Sequence, residues 1–254
     1  MSQSKKQIRQ EQLLNILKAS GYEKIEDMAR ELSVSEQTIR RDIHELDQDN
    51  RLRKTHGGAA FVNGLDKEQY LLRRFQSQDN KQRIAIKVAS LIPDGASLFL
   101  DAGTTCEAIA AALQVRKDLK IVTYSLGAAM QLKDRTDFTV AISGGFLRHS
   151  DGSVMGSATA DFIRRFRFDY CILSVTGVEE NGDMCDDDHW EVSNALVAME
   201  QAKETILAFD SSKFYKSGLV SLGTIATMDH LVTDNLPEGD LKQIVARVPN
   251  IHLA

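Results

Sequence analysis

Gln37, Thr38, Arg40 and Arg41 stand together in a stretch whose apolar residues, Ile39, Ile43 and Leu46, recur at i, i+4 and i+7. That spacing predicts a helix over residues 35–46, with Ser35 as N-cap, one face on a small core, and the four polar side chains outward near its front end. Amide, hydroxyl and guanidinium groups placed there can bond base edges and phosphates, the chemistry of a helix laid in a DNA major groove. A second set of residues follows three apolar runs: Asp101-Ala102-Gly103-Thr104-Thr105, Ser143-Gly144-Gly145-Phe146-Leu147-Arg148 and Asp210-Ser211-Ser212-Lys213-Phe214. Glycine lets a backbone approach a ligand, hydroxyls and free amides at a helix start favour an anion, and Arg148 and Lys213 bring positive charge. Together they describe a pocket for a small polyhydroxylated anion. Each alone also reads as structure: Gly103 as a tight turn, Gly144-Gly145 as a hairpin turn with Arg148 in solvent, Lys213 as a helix end.

The elements that must position the first set are short. Residues 25–32 form an amphipathic helix with Met28, Ala29 and Leu32 inward, and Ser33-Val34 turn the chain into the helix over 35–46, which makes a helix-turn-helix. An earlier helix buries Ile8, Leu13, Leu14, Ile16 and Leu17 and ends near Gly21. Residues 51–61 alternate and then turn at Gly57-Gly58, as the hairpin wing of a winged helix would. Residues 1–60 carry 11 Lys and Arg against 10 Asp and Glu, yet 51–60 hold Arg51, Arg53 and Lys54 with no acid. Such a cationic strip suits phosphate neutralisation, with Arg53, Lys54 and His56 as the contacts. The plainer reading is a three-helix cap whose Arg40-Arg41 pair faces solvent.

The chain has 254 residues, room for a second domain beyond a module of about 60. Its 31 cationic and 36 acidic side chains give a net charge of −5, and the excess acid lies after residue 60, so the larger part is not itself a nucleic-acid surface. Cys106, Cys171 and Cys185 are odd in number and widely spaced, which argues against a disulfide framework and a structural zinc site. No apolar run approaches the ~18 residues of a membrane span, and the expected compartment is the cytoplasm. The expected divisions are a DNA-binding domain over 1–61, a connector over 62–80 and a sensor over 81–254.

From residue 81 the pattern alternates. Helices are expected over 84–91, 105–113, 127–132, 158–166, 190–202 and 240–248, and strands over 97–102, 120–125, 138–143, 169–176, 205–209 and 231–233, before an apolar end. This alternation implies an α/β fold with a doubly wound, mostly parallel sheet, whose ligands sit beyond the carboxyl ends of the strands.

The helix over 35–46, the wing ending His56-Gly57-Gly58-Ala59-Ala60, Asp101-Ala102-Gly103-Thr104-Thr105, Gly144-Gly145 and Asp210-Ser211-Ser212-Lys213-Phe214 together resemble the DeoR family of bacterial transcriptional repressors over nearly the whole chain. The resemblance implies a winged helix-turn-helix and a sensor domain similar in fold to ribose-5-phosphate isomerase. It implies a repressor of a carbohydrate or polyol operon that binds double-stranded operator DNA as a homo-oligomer. A phosphorylated sugar or polyol would release it. Within the family the chain most resembles the glycerol-3-phosphate regulon repressors, through Gln37-Thr38-Ile39-Arg40-Arg41-Asp42, Gly144-Gly145-Phe146-Leu147-Arg148 and Asp186-Asp187-Asp188 before Glu191-Val192. Glycerol 3-phosphate is the expected effector, held by Asp101, Gly103, Thr104, Thr105, Gly144, Gly145, Arg148, Asp210 and Lys213. The chain departs from the family's pattern at Tyr124, where an Asn is usual, and at Ser193-Asn194, where basic residues are usual.

No cofactor or metal is expected. Asp186 to Asp188, with Cys185 and His189 beside them, read as a solvated or helix-capping loop in preference to a metal site. The competing function is an isomerase-like enzyme fused to the DNA-binding module, with Lys213 and Glu179 or Asp210 handling protons.

Overall fold

The computed structural model describes residues 5–20, 22–48, 51–54, 57–61, 70 and 72–254. Two compact units emerge, Met1–Gln76 and Ser77–Ala254. Much of the expected connector, residues 62–69 and 71, lies outside the described residues, as do His56 and the expected helix end at Gly21.

In the first unit, helices α1 (Lys5–Ser20), α2 (Ile25–Glu31) and α3 (Glu36–Gln48) accompany strands β1 (Tyr22–Lys24), β2 (Leu52–Lys54) and β3 (Gly58–Phe61). Leu13 and Leu17 of α1, Met28 of α2, and Ile39, Ile43 and Leu46 of α3 are buried in one core. β2 and β3 pair antiparallel as the expected wing, and β1 adds a third strand on the far side of β3. This is a winged helix-turn-helix. Asp42 lies on the buried side of α3 at 1% exposure, where a carboxylate must be paired. Arg9 of α1 supplies the partner, with Nε and Nη2 donating to the carboxylate at 2.5 and 3.0 Å. Removing one member of a buried pair costs ~3–5 kcal/mol, somewhat less when the partner keeps contact with water, as Arg9 does. Asp42→Ala is therefore expected to destabilise the first unit by about 2–4 kcal/mol in urea unfolding of the full chain, and an unchanged midpoint would show that the clamp contributes nothing.

The second unit is built on a seven-stranded sheet. Strands β4 (Ser97–Leu100), β5 (Lys120–Thr123), β6 (Thr139–Ile142), β9 (Phe168–Leu173), β12 (Ala202–Ala208), β14 (His230–Thr233) and β15 (Asn250–Leu253) run parallel in the order β15-β14-β12-β9-β4-β5-β6. Alternate residues serve opposite faces: Phe99, Val122, Leu173 and Leu207 enter one core, while Leu98, Ile121, Ile172 and Ile206 enter the other. Helices α4 (Gln78–Leu91), α5 (Thr104–Ala112) and α6 (Leu126–Leu132) cover the second core through Ile84, Ile109 and Leu132. Helices α7 (Ser157–Ile163), α8 (His189–Glu200) and α9 (Gly239–Val245) cover the first through Ile163, Val192 and Leu241. The order reverses direction at β4: β5 and β6 lie to one side, β9 and its successors to the other. In such sheets the crevice beyond the reversal point is where ligands bind.

Two features have no counterpart in the expected alternation. Strands β7 (Phe146–Leu147) and β8 (Val154–Met155) form a short antiparallel ribbon, and β10 (Gly177–Val178), β11 (Asp183–Asp186) and β13 (Val220–Thr224) form a small antiparallel sheet. The hairpin reading of Gly144-Gly145 places the turn too early, since the chain reverses between Leu147 and Val154. Gly145 is needed for a different reason. Its φ is +156°, and a Cβ there would lie 2.4 Å from the Met155 carbonyl oxygen.

Candidate functional site

On the first unit, Ser35 caps α3: its Oγ accepts from the Thr38 backbone N–H at 3.2 Å and shares a hydrogen bond with the Thr38 hydroxyl at 2.9 Å. The cap fixes the start of the helix and leaves Gln37, Arg40 and Arg41 exposed on its front, with Thr38 half-buried. Arg40 pairs with Glu36 at 3.2 Å and Arg41 more loosely with Glu45 at 3.8 Å, both along the helix surface. Exposed pairs of this kind are worth well under ~1 kcal/mol, so both guanidiniums can be redirected to another anion at little cost. Ser35, Gln37, Thr38 and Arg41 line a surface hollow of about 520 Å³ together with Lys6, Arg9 and Asp42. Lys54 is exposed on β2, and its backbone N–H donates to Asp47 of α3 at 3.0 Å, tying the wing to that helix. Arg51 is engaged with Glu11 at 3.0 Å.

On the second unit, Asp101 follows β4 at the reversal point and is 6% exposed. The Tyr124 hydroxyl, beyond the end of β5, donates to its Oδ1 at 2.5 Å, and the Ser174 N–H beyond β9 donates to Oδ2 at 3.5 Å. Burial pushes the Asp101 carboxyl up to about 7, against the opposing pull of Tyr124 and backbone donors. Gly103 caps α5 at φ +105°, a conformation that glycine adopts freely, and no atom would obstruct a Cβ there. Gly103 is thus required by backbone conformation. Thr104 is half-buried and Thr105 buried in the first turn of α5, where backbone N–H groups and the helix dipole favour an anion.

Arg148 reaches this rim from the loop between β7 and β8, but not as an uncommitted cation. It donates to Asp151 at 2.5 and 2.9 Å, to Asp188 at 2.7 Å and to Glu191. Burial works against the guanidinium, and the carboxylates outweigh it and keep it charged. Burial and the neighbouring Asp186 raise Glu191 to about 8 in spite of Arg148. Its charge faces three carboxyl groups, and it clasps the ribbon to the first turn of α8. Asp188 caps α8 by accepting from the Trp190 N–H at 2.7 Å, the capping role read for this acidic run. Among the described residues no cluster of three or more metal-binding side chains forms. Asp210 is buried and accepts from the Ser212 N–H at 3.2 Å, and Lys213 is half-buried beyond the end of β12, two strands from β4. Gly144 shows neither a left-handed φ nor an obstructed Cβ.

Residues 9–64 match the DeoR-like helix-turn-helix domain and residues 76–235 the DeoR C terminal sensor domain. The chain is 38% identical to the glycerol-3-phosphate regulon repressor of Escherichia coli (strain K12), over 92% of each chain. The chain belongs to the DeoR family. It is 39% identical to the glycerol-3-phosphate regulon repressor of Haemophilus influenzae, over 92% of each, and 35% identical to the HTH-type transcriptional repressor CsqR of Escherichia coli, over 92% of this chain and 90% of that one. As a DeoR-family member sharing its full layout with named repressors, it is a DNA-binding transcriptional repressor and not an enzyme, and the isomerase alternative is set aside. Among solved structures, a ribose 5-phosphate isomerase A from Methanocaldococcus jannaschii aligns with 55% of each chain at 15% identity and a TM-score of 0.41, too distant to bear on function. No helix among the described residues is long and apolar enough to cross a membrane.

Sequence reasoning missed Lys6, Arg9 and Asp151, and it named Asp188, Glu191, Ser143 and Asn194 without giving them these roles. Lys6 and Arg9 flank the front of α3, and Asp42 on the apolar stripe was the available signal for a partner. At the sensor rim, Asp151, Asp188 and Glu191 meet at Arg148. Ser143, beyond the end of β6, and Asn194 on α8 are buried with side-chain polar atoms that find no partner among the described residues. Each such group costs ~1–3 kcal/mol, and native structures retain few of them.

Proposed function

We propose that this DeoR-family repressor controls a carbohydrate or polyol catabolic operon and leaves its operator when a phosphorylated polyol, glycerol 3-phosphate first among candidates, binds the sensor rim. The observation that carries the reading is the first turn of α5: Gly103, Thr104 and Thr105 begin the helix directly after β4, at the sheet's reversal point, where free N–H groups suit a phosphate. Lys213 supplies the counter-charge. Asp101, Asp210, Gly144 and Gly145 shape the rim, and Arg148 holds its edge. The choice of glycerol 3-phosphate rests on the two relatives named for that regulon.

On the DNA side, Arg40 and Arg41 contact phosphates or guanine, and Ser35, Gln37 and Thr38 lie closer to the bases and their flanking phosphates. Arg53, Lys54 and His56 of the wing touch the backbone and add affinity without sequence choice. The working divisions are 1–61, 62–80 and 81–254. The chain acts as a homo-oligomer, as its membership of the family implies. Operator-bound protein titrated with glycerol 3-phosphate in a fluorescence anisotropy assay is expected to release DNA, while glycerol and inorganic phosphate alone do not. Continued DNA binding at saturating glycerol 3-phosphate and a panel of sugar phosphates would remove the effector reading.

A further inference from the structure

We propose that Asn194, together with Ser143, reads the hydroxyl groups of the effector in the sensor unit. The inference deepens the reading of the rim as a site for a phosphorylated polyol and rests on it. Asn194 is 1% exposed and Ser143 4% exposed, and neither the Asn194 amide oxygen, nor its nitrogen, nor the Ser143 hydroxyl meets a hydrogen-bond partner among the described residues. Buried polar groups left so call for a partner that the chain itself does not supply, and a bound ligand is one.

Their placement gives the ligand's address. Asn194 stands three residues after Glu191 on α8, hence on the same helix face and about 4.5 Å further along the axis. Glu191 is bonded to Arg148, and Asp101 is near enough to raise its carboxyl. Ser143 opens the segment that runs through Gly145 to Arg148. The two unpartnered side chains thus belong to the two segments that Arg148 clasps together, beside the Asp101–Tyr124 pair at the reversal point.

A carboxamide offers two donors and two acceptor sites, and a serine hydroxyl offers one donor and two. That set of donors and acceptors together suits the hydroxyls of a polyol, each both donor and acceptor, whereas a phosphate would use the donors and leave the Asn194 amide oxygen without a partner. Phosphate recognition falls to the first turn of α5 and Lys213, and hydroxyl recognition to Asn194 and Ser143. Asn194 lies three residues beyond Glu191, which Arg148 holds, so a ligand bonded to Asn194 would bear on the contact between the ribbon and α8, and a difference in that contact between two states is what release requires.

The test uses full-length protein, operator DNA and glycerol 3-phosphate, with ribose 5-phosphate, glucose 6-phosphate and sorbitol 6-phosphate as further probes. Asn194→Leu keeps the branched heavy-atom shape, with bulkier methyl ends, and removes the unpartnered groups. It is expected to raise the melting temperature of the free protein by about 2–4 °C, leave operator affinity unchanged, and raise the effector concentration for half-release more than tenfold. Ser143→Ala is expected to act in the same direction to a lesser degree, and serves as the reading if Asn194→Leu does not fold. Melting temperature falling by several degrees with release unchanged identifies Asn194 as a structural group and overturns the assignment. A wild-type chain that none of the four probes releases overturns the sensor reading and this assignment with it, whereas a responsive wild type matched by equally responsive variants overturns only the assignment.

Discussion

Arg41→Ala is expected to weaken operator binding about tenfold or more while leaving the stability of the protein unchanged. The side chain is 83% exposed and makes only a loose pair with Glu45, so nothing in the fold depends on it. Its position decides the size of the effect. Arg41 lines the hollow at the front of α3 with Lys6 and Arg9, and removing one cation from such a cluster removes one phosphate contact and its released counterion. The slope of log affinity against log salt should then fall by ~0.9, equally for every operator variant. A guanine contact predicts something different: a loss of ~1–3 kcal/mol confined to one base-pair position, with the salt slope little changed. Arg164→Ala on the second unit, an exposed arginine paired with Asp161, controls for the change in net charge. Equal gel-shift titrations for Arg41→Ala and wild type would remove α3 as the reading head.

What could be read in advance follows from how locally each feature is specified. The stripe Ile39, Ile43, Leu46 and the Ser35 cap are set by residues three and four apart, so α3 was legible to within a residue or two of its observed bounds. The inner parallel strands were legible because they are buried on both faces and read as apolar runs. Several expected strands overran their ends, at Ala102, Ser125, Ser143 and Thr176, because apolar burial outlasts the hydrogen-bonded ladder. Tyr124 shows why: its ring stacks on Phe99 and its hydroxyl meets Asp101, so it is wholly buried one residue past β5. The ribbon β7–β8 and the sheet β10-β11-β13 were not legible. Their strands are two to five residues long, too short for alternation to show, and β13 is defined by a partner far back along the chain, as when Met184 pairs with Gly223. The same holds for Arg148, whose role is set by Asp188 and Glu191 some 40 residues on. Pattern identifies a cation near a rim; only the fold says which carboxylates reach it first.

Thr105→Val and Lys213→Ala are each expected to yield a repressor that binds its operator with wild-type affinity and responds only at a much higher effector concentration. Thr105 is buried in the first turn of α5, and valine keeps its shape while removing the hydroxyl, so the helix and its packing on α4 should persist. A hydrogen bond to a charged ligand group is worth ~1.5–3 kcal/mol, which corresponds to about a 10- to 100-fold higher effector concentration for half-release. Lys213 sits beyond the end of β12, two strands along from β4, and removing its charge should raise the same midpoint by a similar factor. Thr105→Ser, which restores the hydroxyl, should recover most of the response. The separation of phenotypes comes from linkage: an effector releases DNA only through its different affinity for two states, so removing its contacts abolishes release and spares the operator complex. Variants that lose operator binding as well would mean that α5 and the turn after β12 support the repressor's active state directly. Variants that are released at the wild-type effector concentration would mean that the phosphate is held elsewhere on the sheet's rim.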